Sequence, residues 1–336
     1  MQIRNLTAED AGTLSEFLKA HPHGSIEQSW EWGVLQTTVP GRTAFYVLGV
    51  FDDKEETQLI ASLLVVRQTM GMKKSWLWAP SGPVLPKGDE GKRAWDLIHH
   101  EIGALAHRNH DVFVRFESVV PVGEAWPVNL KKVKASYLPR HTLMIDLSLS
   151  EDEILAQMAQ KGRYNIKKSA KTGVKIRESG PEGLSAFYEI LKITGDRDGF
   201  SHHKEEFYEQ FLSLLEGNAE LFLAEIDGET AGGMLVTYFG DRATYYFGAS
   251  SSKHRKLMAP YSLQWQAIRE AKKRGCAWYD FFGIAPEDQP KHPLKGVTQF
   301  KTRFGGKRVE YYNSRVLVTS RAWWWLYRLM KFIRSS

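Results

Sequence analysis

A segment near the C-terminus, Gly296–Lys307, carries the residues best suited to chemistry. Within it Lys301 stands between two aromatic residues, Phe300 and Phe304, and Arg303 shares helical spacing with the aromatic pair. A glycine pair follows, and glycine ends such a turn readily because it adopts positive φ at no steric cost. A lysine held at this turn is a candidate for stabilising negative charge that develops during a reaction. The alternative interpretation is a solvated lysine on a loop.

A cationic helix is predicted in the middle of the chain. It begins at a capping box formed by Ser150 and Glu153 and ends at Gly173. Its five cations are Lys161, Arg163, Lys167, Lys168 and Lys171. Three of them are spaced four residues apart and therefore share a face. That face is either a phosphate-binding surface or an ordinary solvated face.

The turn after the predicted strand Arg242–Ala249 tests one class of enzyme. In an acetyltransferase that uses coenzyme A, this turn holds the pyrophosphate on bare backbone N–H groups of a glycine-bearing loop. Here Met258 takes a glycine position, and Pro260, which has no N–H, takes the last position of the loop. The sequence therefore argues against coenzyme A, and we expect no cofactor.

Composition excludes several other classes. The chain of 336 residues is 43% hydrophobic and 25% charged, as in globular proteins, and its formal charge of +6 is compatible with a phosphate-bearing partner. A single cysteine, Cys276, excludes intramolecular disulfides and cysteine-rich zinc sites. No carboxylate or cysteine stands at a suitable spacing to complete a metal site with His202 and His203, so we expect no metal. Without a signal peptide or a membrane-spanning apolar run, we expect a cytoplasmic protein.

The order of predicted elements is similar in the two halves of the chain: helices, then paired strands, a helix and a further strand. Phe45–Phe51 and Gln58–Gln68 alternate as a strand pair joined by a charged turn at residues 52–56. This order predicts an α+β fold of two tandem acetyltransferase-like (GNAT superfold) domains. We assign residues 1–148 and 314–336 to the first domain and 149–313 to the second. The closing aromatic and basic helix, Ser320–Ile333, is expected to dock on the first domain, to lie peripherally on the inner face of the membrane, or to do both.

Five motifs, in order and at compatible spacing, resemble the Fem family of peptidoglycan-bridge aminoacyltransferases. Besides the basic helix and Phe300-Lys301 with Phe304-Gly305-Gly306, they are Gln28–Gly33, Tyr246–Ser251 and Tyr279–Ile284. The resemblance covers nearly the whole chain and implies the compact form of the family, because no heptad run predicts a coiled-coil arm.

The resemblance implies an aminoacyltransferase that uses aminoacyl-tRNA as donor. It would acylate the side-chain amine of a stem peptide in a UDP- or lipid-linked peptidoglycan precursor. One alternative is an N-acyltransferase that uses coenzyme A and acts on a sugar or exopolymer. Another is a non-enzymatic RNA- or membrane-binding module built on the same fold.

The resemblance also implies roles for individual residues. Lys301 stabilises the oxyanion, Phe300 shapes the pocket, and Glu117, at the end of a buried strand, is a candidate base; its alternative is a surface acid. The basic helix contacts tRNA. The chain departs from the family at two precursor-binding positions, where Gln36 replaces a lysine and His203 replaces an arginine. The expected substrate-binding residues are Trp32, Gln36, His203, Tyr246, Ser250 and Arg303.

Overall fold

The computed structural model describes residues 1–52, 55, 58–134 and 136–335, with side chains up to residue 330. Most of the predicted charged turn at residues 52–56 lies outside this range. The chain forms two compact units: Met1–Arg140 with Tyr311–Ser336, and His141–Glu310. Each unit contains one seven-stranded sheet with helices packed on it, so the predicted mixed α+β class is confirmed.

The strands are numbered in chain order through both units. They are β1 (Gln2–Asn5), β2 (Arg42–Phe51), β3 (Leu59–Met70), β4 (Lys74–Ala79), β5 (Asp111–Phe116), β6 (Lys131–Lys132), β7 (His141–Asp146), β8 (Lys175–Ser179), β9 (Ala219–Ile226), β10 (Glu229–Phe239), β11 (Arg242–Ser250), β12 (Trp278–Gly283), β13 (Lys307–Glu310) and β14 (Arg315–Val318).

The helices are numbered in the same way. They are α1 (Ala11–Ala20), α2 (Trp30–Thr37), α3 (Gly88–Arg108), α4 (Glu151–Gln157), α5 (Gln160–Lys171), α6 (Leu184–Asp198), α7 (Glu205–Leu214), α8 (Ala259–Lys273), α9 (Lys295–Lys301) and α10 (Arg321–Ser335). None of those built from described residues is both long and apolar enough to span a membrane. The longest, α3, lies in the first unit, and the second unit carries no coiled-coil arm within its described residues.

The first unit orders its strands β1-β2-β3-β4-β5-β14-β6. Its interior strand β5 points side chains alternately to two buried faces, as a strand covered on both sides must. Val114 and Phe116 pack in the core that includes α3, whereas Phe113 contacts Trp324 of α10. The C-terminal helix is therefore docked on the first unit through one of its faces.

The second unit orders its strands β13-β7-β12-β11-β10-β9-β8. Strands β11 and β12 run parallel, but their pairing covers only three positions, from Arg242 with Trp278 to Thr244 with Asp280. Beyond Asp280, β12 shifts register against β7 before pairing resumes at Gly283. Strands β11 and β12 therefore stop pairing partway along their length, and the backbone of β12 is irregular at that point.

The residue patterns predict one strand over Arg308–Val318 and another, within the first domain, over Thr142–Leu147, and the structure differs from both expectations. The strand-like run Arg308–Val318 is two short strands, β13 and β14, and each belongs to a different sheet. The predicted strand Thr142–Leu147 is β7, which pairs with β12 and β13 and so belongs to the second unit. The boundaries of the second unit therefore fall after residues 140 and 310 rather than after 148 and 313, because long-range pairing that a local pattern does not encode determines sheet membership.

Candidate active site

Helix α9 is fixed at the end of β12. The Thr298 hydroxyl accepts a hydrogen bond from the Ala285 N–H (2.7 Å) and donates one to the Leu294 carbonyl (2.7 Å), which joins the helix to the chain that leaves β12. After α9 the chain makes a 3-10 turn, then Gly305 (φ 79°) and Gly306 (φ 86°) leave it with positive φ. The predicted role of the glycine pair is therefore confirmed.

Lys301, the last residue of α9, is buried, with 6% of its surface exposed. Its Nζ donates hydrogen bonds to the carbonyls of Gly283 (2.8 Å) and Phe282 (3.4 Å) and lies 5.5 Å from the centre of the Tyr245 ring. Burial lowers the pKa of Lys301 to about 8, against the opposing charge of Asp280. The interpretation of this residue as a solvated loop lysine is wrong.

The irregular part of β12 presents its carbonyls to Lys301. Phe282 has a φ of 58°, a left-handed conformation that is unusual for a large side chain. The buried carboxylate of Asp280 holds this conformation, because its Oδ1 accepts hydrogen bonds from the Phe282 N–H (2.7 Å) and from the Thr142 hydroxyl. Arg242 Nη1 lies 3.9 Å from Asp280 Oδ2. The buried carboxylate of Asp280 therefore maintains the strained backbone conformation of Phe282.

Aromatic residues of β11 flank the lysine. The Tyr245 hydroxyl packs so closely on Gly248 that a Cβ there would lie 1.9 Å from it, so only glycine fits. Tyr246, one of the predicted substrate-binding residues, stacks on Phe282 with 4.9 Å between ring centres. Lys301, Tyr245, Tyr246 and Phe282 therefore meet where β11 and β12 stop pairing. The ammonium group of Lys301 is thus enclosed by backbone carbonyls and the ring of Tyr245.

The rest of the segment supports the lysine by packing. Phe304 is fully buried against Phe281 and Tyr261, and Phe300 packs on Tyr261 with 5.1 Å between ring centres. Arg303, predicted to bind substrate, donates a hydrogen bond to the Tyr261 hydroxyl. Phe300 thus lies at the edge of the core of the second unit, and Arg303 is engaged with α8.

The basic helix contacts this segment directly. The Ala159 N–H donates to the Arg303 carbonyl (3.0 Å), and a Cβ on Gly162 would lie 2.4 Å from the same oxygen. The first turn of α5 is therefore in backbone contact with the turn that follows Lys301, and Gly162 is what permits this approach. The single helix expected from Ser150 to Gly173 is two, α4 and α5; its predicted capping box is confirmed.

Not all five cations of the basic helix point outward. Lys161, Lys167 and Lys171 are exposed and Lys168 is half-buried. Arg163 instead folds back, and its Nη1 donates to the Met158 carbonyl at the end of α4. The expectation that Arg163 shares an open face with Lys167 and Lys171 needs this correction: its guanidinium serves the junction between two helices. Tyr164, 62% exposed, lies among the remaining cations.

Ser250 and His203 lie elsewhere in the second unit. The Ser250 carbonyl accepts a hydrogen bond from Arg197 of α6 (2.9 Å), and its N–H donates to the Thr194 hydroxyl. The His203 ring stacks on Phe207 of α7, with 4.0 Å between ring centres. Ser250 therefore joins β11 to α6, and His203 packs the loop before α7 against that helix.

Glu117 belongs to the first unit, directly after β5. It is 2% exposed, and its two carboxylate oxygens accept hydrogen bonds from the N–H groups of Tyr137 (2.7 Å) and Leu138 (2.9 Å). Burial raises the pKa of Glu117, although these hydrogen bonds oppose the shift. The alternative of a surface acid is wrong. The carboxylate fixes a loop that carries the half-exposed ring of Tyr137.

A cationic and aromatic cluster surrounds that loop. The buried guanidinium of Arg115 lies 4.8 Å from the Trp76 ring and 5.5 Å from the Tyr137 ring, and it donates to the Tyr327 hydroxyl. The neighbouring Trp78 ring contacts Tyr137 edge-on. Aromatic rings around a cation suit a polar organic ligand, because the rings provide area and the cation provides orientation.

The two remaining predicted residues are in the interior of the first unit. Gln36 is 1% exposed and accepts a hydrogen bond from Arg42, whose guanidinium lies 5.4 Å from the Trp78 ring. Trp32 is 4% exposed in the same helix, α2. Arg42 therefore brings a cation next to the position where the family resemblance expects a lysine. The sequence did not point to Arg42 because this residue follows Gln36 only after a turn, so that no regular spacing links the two.

The residues that sequence reasoning missed around Lys301 are Asp280, Phe282 and Tyr245. One signal was available: Asp280 is an acid inside the apolar run Trp278–Phe282, and an acid in a buried strand requires partners. The left-handed conformation of Phe282 has no such signal.

At the start of α8 lie the two residues that argue against a coenzyme A site. Met258 (φ 59°) precedes the helix, and Pro260 occupies its first turn, where an N–H would otherwise face the loop. The N–H of Tyr261 is used by the Met258 carbonyl. This helix start offers few donors to a pyrophosphate.

Comparison with known proteins agrees with this geometry. A solved structure described as FemX superposes with a TM-score of 0.86 at 18% identity, over 97% of this chain and 99% of that one. A tandem GNAT protein from the clavulanic acid biosynthesis pathway gives a TM-score of 0.56 at 14% identity, over 95% and 98%. The fold is therefore that of proteins with two tandem acetyltransferase-like units.

The family follows from the sequence comparison. The model of the FemAB family matches residues 116–231 and 227–331. A curated relative, the lipid II:glycine glycyltransferase of Staphylococcus aureus (strain COL), is 21% identical over 372 residues, covering 86% of this chain and 87% of the relative. The chain belongs to the FemAB family, and the resemblance drawn from its motifs is confirmed.

Proposed function

We propose that this protein transfers an amino acid from aminoacyl-tRNA to the side-chain amine of a peptidoglycan precursor stem peptide. The observation that carries the proposal is the placement of Lys301: a buried ammonium with a pKa of about 8, held where β11 and β12 separate. Such a group is cationic at neutral pH and already desolvated, so it stabilises developing negative charge strongly.

The reaction itself is an ester aminolysis. The acceptor amine attacks the ester carbonyl carbon, the carbonyl oxygen becomes an oxyanion, and the 3′-hydroxyl of the tRNA leaves as the amide forms. One proton passes from the amine to the leaving oxygen. Lys301 donates to the oxyanion, and Phe300 and Tyr246 shape the pocket around the aminoacyl group. Glu117 takes or orients the amine proton, for which a raised pKa is suited.

A lipid-linked acceptor is favoured over a nucleotide-linked one. The curated relative is named for lipid II, and the positions where the family resemblance expects a lysine and an arginine hold Gln36 and His203. The arginine expected at His203 would contact the phosphates of a nucleotide sugar, and its replacement lowers affinity for it, whereas Arg42 still places a cation beside Gln36. Arg42 and Arg115 remain to orient the stem peptide in the first unit.

The direct test incubates the purified protein with aminoacyl-tRNA and a lipid-linked or UDP-linked precursor and follows the product by mass spectrometry. We expect a mass gain of one amino acid with alanyl, glycyl or seryl donors, and a faster reaction on the lipid-linked acceptor. No product from any donor with either acceptor contradicts the proposal. Acylation from acetyl-CoA would support the alternative N-acyltransferase, against which Met258 and Pro260 argue.

A prediction about tRNA follows from the orientation of the basic helix. Lys167→Gln and Lys171→Gln together remove two exposed charges, and we expect tRNA to bind more weakly and with a shallower dependence on salt, by roughly two phosphate contacts. Binding is measured by filter retention between 50 and 200 mM salt, which is the range where such slopes are clear.

The matched control is Arg163→Gln, because this cation is folded onto the Met158 carbonyl. We expect Arg163→Gln to lower the unfolding temperature with little change in the salt slope. If Arg163→Gln flattened the slope as much as the double variant does, the assignment of the tRNA-binding face would be wrong. Salt-dependent binding without any transfer would favour the non-enzymatic alternative.

A further inference from the structure

We infer that the outer face of α10, together with the neighbouring β3–β4 hairpin, is a surface that binds anionic membranes. The inference deepens the proposed function, since a lipid-linked acceptor lies at a membrane. Its test measures lipid binding without any transfer reaction, so either idea can fail while the other stands.

The inner face of α10 is already used by the first unit. Trp324 and Tyr327 contact Phe113, with 4.7 and 5.1 Å between ring centres. Tyr327 also accepts a hydrogen bond from Arg115. The helix is therefore anchored in a fixed rotation, and this rotation decides which residues face outward.

The outward face is apolar at its centre and basic at its edges. Trp325 is 66% exposed and Leu329, one turn later, is 40% exposed. Arg321 and Arg328, both exposed, lie on the same side of the helix at spacings of four and three residues from Trp325. An exposed tryptophan and leucine in adjacent turns exceed the isolated apolar residues that are normal on a protein surface.

The β3–β4 hairpin extends the same chemistry beside the helix. Lys74 Nζ lies 5.1 Å from the centre of the Trp323 ring, which places the hairpin next to the first turns of α10. At the hairpin tip Met72 is 64% exposed and is followed by exposed Lys73. Met72 and Lys73 both have positive φ, so the tip is a tight turn that presents an apolar side chain followed by two lysines.

The charge pattern favours a lipid surface over a protein partner. Neither the chain from Tyr311 to Ser335 nor the hairpin residues 67–74 contain an acidic residue. A second copy docked symmetrically on this face would bring Arg321 and Arg328 near like charges. An anionic leaflet instead attracts the arginines and lysines, and the amphipathic ring of Trp325 suits the depth of the headgroups.

The test is co-sedimentation of the full chain with vesicles of phosphatidylglycerol and phosphatidylcholine, and with vesicles of phosphatidylcholine alone. We expect binding to the anionic vesicles only, weakened by salt. Trp325→Ser with Leu329→Ser should reduce the affinity at least about tenfold. Arg321→Gln with Arg328→Gln should reduce it about fivefold for each charge removed.

The control is Ile193→Ser, which removes a 51% exposed aliphatic side chain from α6 and should leave vesicle binding unchanged. Unfolding temperatures close to the wild-type value verify that the exposed α10 substitutions preserve the fold. Equal binding to both vesicle types, or wild-type affinity in both double variants, overturns the inference. So does a dimer in lipid-free solution that Trp325→Ser with Leu329→Ser dissociates.

Discussion

Replacement of Lys301 by methionine is expected to lower the rate of aminoacyl transfer about 10²- to 10³-fold, the range for loss of one oxyanion-stabilising donor. Stability should change by less than about 2 kcal/mol, because two effects oppose each other. Methionine leaves the carbonyls of Phe282 and Gly283 without their donor, but it also removes a buried charge. A large loss of rate with little loss of stability distinguishes a functional lysine from a structural one.

The matched control is Lys295→Met, at the exposed first residue of the same helix, which should change neither rate nor stability. Transfer is measured under single-turnover conditions, and stability by thermal unfolding of the same samples. A Lys301→Met protein that keeps more than half of the wild-type rate would remove the proposed mechanism, even if the reaction itself were established.

The pH dependence of wild-type transfer gives the protonation state in which Lys301 works. The pKa of this group is about 8 in the folded protein, below its ordinary value of 10.5. If the ammonium form stabilises the oxyanion, this lysine causes the rate to fall as pH rises through about 8. A rate that rises through the same pH would instead make Lys301 a base.

The lowered pKa of Lys301 also makes the free energy of unfolding depend on pH. Between the folded and unfolded pKa values the unfolded chain binds more protons, so stability due to this residue increases from about pH 8 toward 10.5.

Asp280→Asn is expected to shift the pH dependence of the transfer rate. The negative charge of Asp280 raises the pKa of Lys301 and so partly offsets the effect of burial. Asparagine keeps an oxygen that can accept the hydrogen bonds from Thr142 and the Phe282 N–H, but it removes the charge. The pKa of Lys301 then falls below about 8, and the high-pH limb of the transfer rate moves to lower pH. We expect the loss of rate to be largest at pH 8 and above and to become small near pH 6, where the lysine is protonated in both proteins.

Thr142→Val is the matched control for Asp280. It removes a hydroxyl that donates to the same carboxylate and leaves the charge in place, so stability should fall by about 1–2 kcal/mol while the pH limb stays where it is. Full pH–rate profiles of both variants from pH 5.5 to 9 make the comparison. An Asp280→Asn profile that is lowered uniformly, with an unmoved limb, would show that Asp280 supports the backbone only.

Local chemistry is what the amino-acid sequence determined well. The Ser150 capping box, the positive φ of Gly305 and Gly306, and the missing N–H of Pro260 each depend on a few neighbouring residues. Interactions of this range are the same wherever the segment lies in the fold, so their motifs can be interpreted without coordinates. The five motifs likewise identified the family, because their order along the chain is a property of the sequence.

The sequence did not determine the boundary between the two units. The strand His141–Asp146 has a short apolar run that fits either sheet, and only its pairing with β12 and β13 assigns it to the second unit. The outward face of α10 is a similar case. Its aromatic residues are all alike in the sequence, but contacts with Phe113 turn Trp324 inward and leave Trp325 exposed.

The same limit applies to Lys301, which on local grounds resembled a solvated lysine beside two aromatic residues. Its burial, its bonds to β12 and the ring of Tyr245 all come from strands some twenty to fifty residues earlier in the chain. The pKa of a side chain is determined by the dielectric and charges around it in space, and the charge of Asp280, on β12, raises the pKa of Lys301 against the effect of burial. The sequence therefore identified the residue, and tertiary packing decided that it is a desolvated cation.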